Sequence, residues 1–159
     1  MRKKEREITQ RTEIDAILAG SPVCRIAFAV AGEPYIVPLS HGYDADANAL
    51  YVHTAVEGRK IACIEANPRV CFEVERDVRV KAGDERGCSW GLFYESVVGY
   101  GTFRELTDPV ERDRALRCIM RQQSGRDDAW TFAPKVLDLT RVWAIEIESV
   151  TGKRSGPPR

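Results

Sequence analysis

An excess of charge of either sign is missing from this chain of 159 residues: 24 Lys plus Arg balance 24 Asp plus Glu, for a formal net charge of zero. A general nucleic-acid binder carries a basic excess, so that class is disfavoured. Long apolar runs are missing too. No stretch of 18 apolar residues occurs, which excludes a transmembrane helix. The charged start, Met1-Arg2-Lys3-Lys4-Glu5-Arg6, is not followed by an apolar signal core, so no membrane partner is expected. The five cysteines form no CxxC pair and are odd in number, which argues against a disulfide framework and a structural zinc site. Cys24 and Cys71 lie in alternating apolar runs and read as small core residues; Cys88, in Gly87-Cys88-Ser89-Trp90, fits the core less well. A cytoplasmic, reducing location is expected. Internal repeats and low-complexity segments are also lacking.

What is present suits one domain: 43% hydrophobic residues and enough length to bury a sizeable core. Thr12 is expected to cap a helix carrying Ile14, Ile17 and Leu18, ended by Gly20-Ser21-Pro22. Cys24, Ile26, Phe28 and Val30 alternate on one side of a strand. Ala31-Gly32-Glu33-Pro34 is a tight turn, and Tyr35 to His41 returns as a hairpin partner. Pro38 donates no ladder bond, which predicts an edge or a broken ladder where a ligand can reach the main chain. A turn at Asp44 to Asn48 leads to a strand, Leu50 to Thr54, and then a helix after Glu57-Gly58 that Asn67-Pro68 stops. Val70, Phe72 and Val74 mark a fourth strand.

Val78 to Gly87 reads as an irregular loop. Phe93 to Leu106 reads as a long strand with Gly99 and Gly101 at a bend or bulge. Asp108-Pro109 opens a helix that ends at Ser124-Gly125. Its Arg112, Arg114, Arg117 and Arg121 sit beside acids and suit a solvated face. Val142 to Ile147 is the last strand, and Gly152 to Arg159 reads as a loose tail. About six strands with hairpin connections and three helices disfavour a doubly wound parallel sheet and favour a small, mainly β barrel with covering helices.

The segment richest in chemistry is His53-Thr54-Ala55-Val56-Glu57-Gly58-Arg59-Lys60. A strand ends, a turn follows, and a helix begins with two cations beside a glycine. Helix starts present unpaired N–H groups and the positive dipole end, and Arg grips phosphate with two bonds. A solvated helix end is the plainer reading of the same residues. His53 stands beside this segment, able to contact a cofactor or substrate, pass a proton or ligate haem, or simply to bond backbone. His41 is expected to be structural or on the surface, and Trp90 and Trp143 to fill the core or an interface.

Several pieces recur in order: Cys24-Arg25-Ile26-Ala27-Phe28, Tyr35 to Asp44, Leu50 to Ala55 followed by Gly58-Arg59-Lys60, Asn67 to Val74, and Val97-Val98-Gly99-Tyr100-Gly101. Together they resemble the pyridoxamine 5′-phosphate oxidase-like FMN-binding split-barrel superfamily, and within it the nitroimidazole-resistance (Nim-like) branch. The resemblance implies a six-stranded antiparallel split β-barrel, expected over residues 1–154, while the composition of 155–159 reads as a disordered tail. It implies a homodimer holding FMN in two interfacial clefts. It places Thr54, Arg59 and Lys60 on the phosphate, Val37, Pro38, Leu39 and Ser40 along the flavin ring, and His53 near its edge as the candidate catalytic residue. Ser89, Trp90, Tyr94 and Ser96 are candidates for contacts across the interface by position. The oxidase's substrate-holding C-terminal pattern is absent, so oxidation of vitamin B6 is not implied. The implied activity is reduction of a small acceptor, such as a nitroaromatic, with electrons from reduced nicotinamide. A non-catalytic flavin or haem sensor, or a deazaflavin in the same cleft, is the alternative, and no metal site is expected.

Overall fold

Alternating apolar residues set the architecture of the computed structural model, which describes residues 3–156. The elements are β1 (Glu7–Ile8), α1 (Arg11–Gly20), β2 (Val23–Val30), β3 (Glu33–Ser40), β4 (Gly42–Asp44), β5 (Ala49–Ala55), α2 (Arg59–Ala66), β6 (Arg69–Lys81), β7 (Gly91–Glu105), α3 (Pro109–Ser124), α4 (Pro134–Leu137) and β8 (Thr140–Ser155). The strands run antiparallel in the order β3-β2-β6-β7-β8-β5-β4, with β1 added against β8. The edges β3 and β4 are joined through His41 and share no ladder, so the barrel is split at this seam. Pro38 therefore lies on an edge strand, as its missing donor requires.

The inward residues of the sheet and the apolar faces of α1 and α2 form one core, with Ile17, Leu18, Ile26, Leu50, Phe72, Val74, Val97 and Ile145 among its most buried members. A second cluster lies outside the sheet, where Ala115, Leu116, Cys118 and Ile119 of α3 cover Ala49 and Tyr51 of β5 and Val142 and Ala144 of β8. Asp108 caps α3 by accepting from the N–H groups of Val110 and Glu111, and Gly125 closes it in the left-handed region at φ 68°. A Cβ on Gly99 would stand 2.3 Å from Phe72 Cζ and 2.8 Å from the Ser149 carbonyl oxygen, so glycine there lets Phe72 fill the core. One residue later the β7–β8 register slips between Tyr100 and Gly101, which is the expected bulge.

Four expectations need correction. The sheet has eight strands rather than six, the extra ones being the two-residue β1 and the three-residue β4. Helix α1 begins at Arg11 after Gln10 with no side-chain cap, so Thr12 lies inside it. The segment from Val78 is not loop throughout: β6 continues to Lys81, paired with Gly91, and only then turns. The stretch read as a loose tail is β8, whose Gly152, Lys153, Arg154 and Ser155 pair with Val97, Ser96, Glu95 and Tyr94. Polar composition misled there, because β1 and β7 supply the hydrogen bonds that this segment cannot supply itself. The rest of the expected tail, residues 157–159, lies outside the described residues.

Candidate functional site

Strand β5 has two faces. Leu50, Val52 and Thr54 point into the barrel, while Ala49 and Tyr51 pack beneath α3. His53 continues the outer face beyond the cover of α3 and is exposed. Packing around it lowers its imidazole from the ordinary value, so it is neutral at pH 7 with a nitrogen lone pair to offer.

The turn after β5 delivers the chain to α2 through Gly58, at φ 122° and ψ 177°. That φ suits glycine, and among the described residues nothing lies within 4 Å of where its Cβ would be. Among the described residues no side chain caps α2, so the amides of its first turn keep their binding capacity. Arg59 is exposed and Lys60 half-buried. Neither is among the ion pairs of the described residues. An open glycine, an uncapped helix start and two cations without carboxylate partners fit a phosphate.

Thr54 fits less well. Its hydroxyl is buried, donates to the Ala55 carbonyl at 2.8 Å and accepts from Trp143 Nε1 at 3.0 Å. It anchors the end of β5 to β8. The sequence identified the segment but could not show that this side chain turns inward.

On β3, Val37 and Leu39 pack against the core, whereas Pro38 is exposed and Ser40 half-exposed. Only the outer side and free edge of this strand are open to a ligand. Ser89 and Trp90 lie elsewhere. They sit at the tip of the β6–β7 arm, where the Ser89 hydroxyl accepts from the Asp84 amide and lies 2.7 Å from the Arg86 carbonyl. Trp90 donates from Nε1 to the Asp84 carbonyl at 2.8 Å, and its ring is 52% exposed, so of the two expected placements, core or interface, it does not fill the core of its own chain. A cleft of about 620 Å³ at the arm is lined by Cys88, Ser89, Trp90 and Tyr94. Ser96 lies farther along β7, opposite Glu75. The arm stands at the Gly91 end of the 15-residue β7, while Glu105 at the other end pairs with Trp143, the neighbour of Val52. Within one chain, Ser89 and Trp90 are thus not brought together with His53, Arg59 and Lys60. Trp143, by contrast, is buried as expected, edge-on to Phe103.

His41 is fully buried, so it is structural and not a surface residue. Its Nε2 lies 3.1 Å from the Leu18 carbonyl oxygen and 2.9 Å from Gln122 Nε2, and its Nδ1 has no partner among the described residues. A second ring proton would therefore be buried without an acceptor, and burial lowers the imidazole from its ordinary value. The unfolded chain takes up the proton near pH 6.5 and the folded chain does so only at lower pH, so stability is full above that value and falls as pH drops through the folded one. Denaturant unfolding from pH 7.5 to 5 should show this slope, and His41→Phe should flatten it to the part contributed by His53. An unchanged slope would refute the assignment to His41.

Among the described residues, no group of three or more His, Cys, Asp or Glu is placed to hold a metal, and no helix is long and apolar enough to cross a membrane. A family model described as pyridoxamine 5′-phosphate oxidase matches residues 10–154. Among solved structures, a candidate 5-nitroimidazole antibiotic resistance protein from Bacteroides thetaiotaomicron is 26% identical with a TM-score of 0.80, over 93% of this chain and 86% of that one. A FAD-binding protein from Mesorhizobium loti is 27% identical with a TM-score of 0.68, over 95% and 98%. A FAD and haem binding protein from Mycobacterium smegmatis shares the fold at 19% identity and a TM-score of 0.81, over 97% and 76%. No curated protein matches the chain.

Proposed function

The chain belongs to the pyridoxamine 5′-phosphate oxidase family, and from that premise we propose that it is an FMN-dependent oxidoreductase of the Nim-like type, working as a homodimer. The observation that carries this reading is the start of α2: an open Gly58, no side-chain cap, and Arg59 and Lys60 free of carboxylates among the described residues. Arg59 and Lys60 bind the cofactor phosphate together with first-turn amides. The outer side of β3 at Pro38 and Ser40 flanks the ring with backbone and small polar groups. His53, neutral and outward, hydrogen-bonds at the ring edge or passes a proton to the acceptor. Bound FMN would supply the redox chemistry, hydride acceptance from reduced nicotinamide and two-electron reduction of a small acceptor such as a nitroaromatic.

The homodimer reading rests on two features. The sheet exposes Ile36, Val98 and Tyr100 on its outer face, and the arm carries Trp90 far from its own α2. A second copy brings such an arm to the cleft that its own chain cannot reach. The test is the absorption spectrum of freshly purified protein, mass spectrometry of the released cofactor, and turnover with reduced nicotinamide and a panel of nitroaromatics. Flavin bands, released FMN and acceptor-dependent oxidation of nicotinamide are expected. A colourless protein that also refuses added FMN would overturn the reading. FMN binding without turnover would leave a flavin carrier or sensor.

A haem reading is favoured by one observation, the neutral outward His53. It expects a Soret band that His53→Ala abolishes, and a band that survives the substitution removes this ligand.

A further inference from the structure

Arg59 does not extend freely into solvent. Its guanidinium carbon lies 4.3 Å above the centroid of the Tyr35 ring. Tyr35 is itself fixed: it stacks on Phe28 at 5.9 Å, Phe28 stacks on Phe103 at 5.8 Å, and Phe103 meets Trp143 edge-on at 5.8 Å. Trp143 then donates to the Thr54 hydroxyl at 3.0 Å. One row of aromatic rings thus runs across the barrel end from Arg59 at the start of α2 to Thr54 at the end of β5. These two residues bound the segment read above as the phosphate site. A free arginine loses rotamer freedom when it grips an anion, and a guanidinium already resting on a ring loses less.

We propose that Tyr35 is a positioning residue for this anion clamp, holding the Arg59 guanidinium at the α2 start for a phosphate group. The inference rests on the assignment of Arg59 to the cofactor phosphate. It adds a residue that is placed by the ring contact alone and touches no phosphate. The neighbouring cation does not compete for the role, since Arg141, 4.5 Å above the Trp143 ring, is held by Glu105 and Glu65.

The experiment compares FMN with riboflavin, which lacks the phosphate, by flavin-fluorescence titration of the full chain. Wild-type protein is expected to prefer FMN. Tyr35→Phe keeps the ring face and should keep that preference. Tyr35→Leu should reduce the preference about three- to ten-fold through weaker FMN binding, with riboflavin affinity unmoved. In an Arg59→Ala background, Tyr35→Leu should add nothing. If Tyr35→Leu does not fold, 4-cyanophenylalanine at position 35 keeps the shape, depletes the ring face and should give a smaller loss of the same kind. Losses that add in the double variant, or that strike FMN and riboflavin equally, would reduce Tyr35 to a packing residue and overturn the proposal. If the wild type binds both flavins equally, the phosphate assignment itself falls and the proposal with it. If the wild type discriminates and neither ring variant reduces that discrimination, only the role of Tyr35 falls.

Discussion

Replacing Glu95 with glutamine is expected to remove about 3 kcal/mol of stability, because it takes the shared carboxylate from between two guanidiniums at a buried position. Glu95 is 4% exposed. Arg76 Nε donates to its Oε2 at 2.7 Å and Arg154 Nε to its Oε1 at 2.6 Å. The two arginines continue outward, Arg154 to Glu13 at 2.6 Å and Arg76 to the Ala16 carbonyl at 2.6 Å, so the network ties α1 to β6, β7 and β8. Glutamine fills the same volume but turns one acceptor into a donor facing a donor. The figure is set at the low end for a broken buried pair because both arginines keep some solvent contact. In a domain of this size the melting temperature should fall by roughly 6–12 °C.

A pH measurement separates this charge effect from lost packing. Burial pushes the Glu95 carboxyl up, but the hydrogen bonds from Arg76 and Arg154 outweigh it and hold the group below the usual carboxylate range. A depressed carboxyl contributes stability above its unfolded value of about 4.3 and loses it as pH falls through the folded value. The acid limb below about pH 4.3 should therefore be shallower in Glu95→Gln than in the wild type. This window lies below that of His41, so the two substitutions should flatten different parts of one stability curve. Identical acid limbs in wild type and Glu95→Gln would show that the carboxylate is not held by its arginines.

This network also marks the boundary of what was legible in the sequence. Alternation in Cys24, Ile26 and Phe28, the Asp108-Pro109 helix start, and the Gly99 and Gly101 bulge are local signals, and the residues that produce them lie close together in the chain. Arg154 could not be read the same way. Its partners Glu95 and Glu13 are distant in sequence, and its strand exists because β1 and β7 lie on either side of it. Polar, glycine-containing residues there resemble a tail until those neighbours are known. The site divides along the same line. Gly58, Arg59 and Lys60 were readable because a helix start is a local structure. The inward hydroxyl of Thr54 was not, since it depends on Trp143, a residue that pairs with β5 only in the folded sheet. Tyr35 was missed for a similar reason: its contact with Arg59 joins β3 to α2 across the barrel end.

Replacing Arg59 with alanine is expected to weaken FMN binding about ten- to a hundred-fold, the equivalent of one charge-assisted hydrogen-bonded contact of roughly 1.5–3 kcal/mol. The loss is bounded because Lys60 and the uncapped amides of α2 remain. It should fall on FMN and leave riboflavin untouched, since the guanidinium is assigned to the phosphate and not to the ring. Arg59 is exposed, so its attraction is screened by salt. The wild-type advantage for FMN should therefore shrink between 0.05 and 0.5 M salt, and the Arg59→Ala variant should depend less on salt. Arg59→Lys should restore the charge but only part of the affinity, because an ammonium neither grips a phosphate with two parallel bonds nor lies flat on the Tyr35 ring. Fold stability should hardly change, as Arg59 is exposed and outside the core. An Arg59→Ala variant with wild-type FMN affinity would move the phosphate away from α2. One that loses riboflavin as readily as FMN would show that the substitution disturbs the whole cleft and not a phosphate contact.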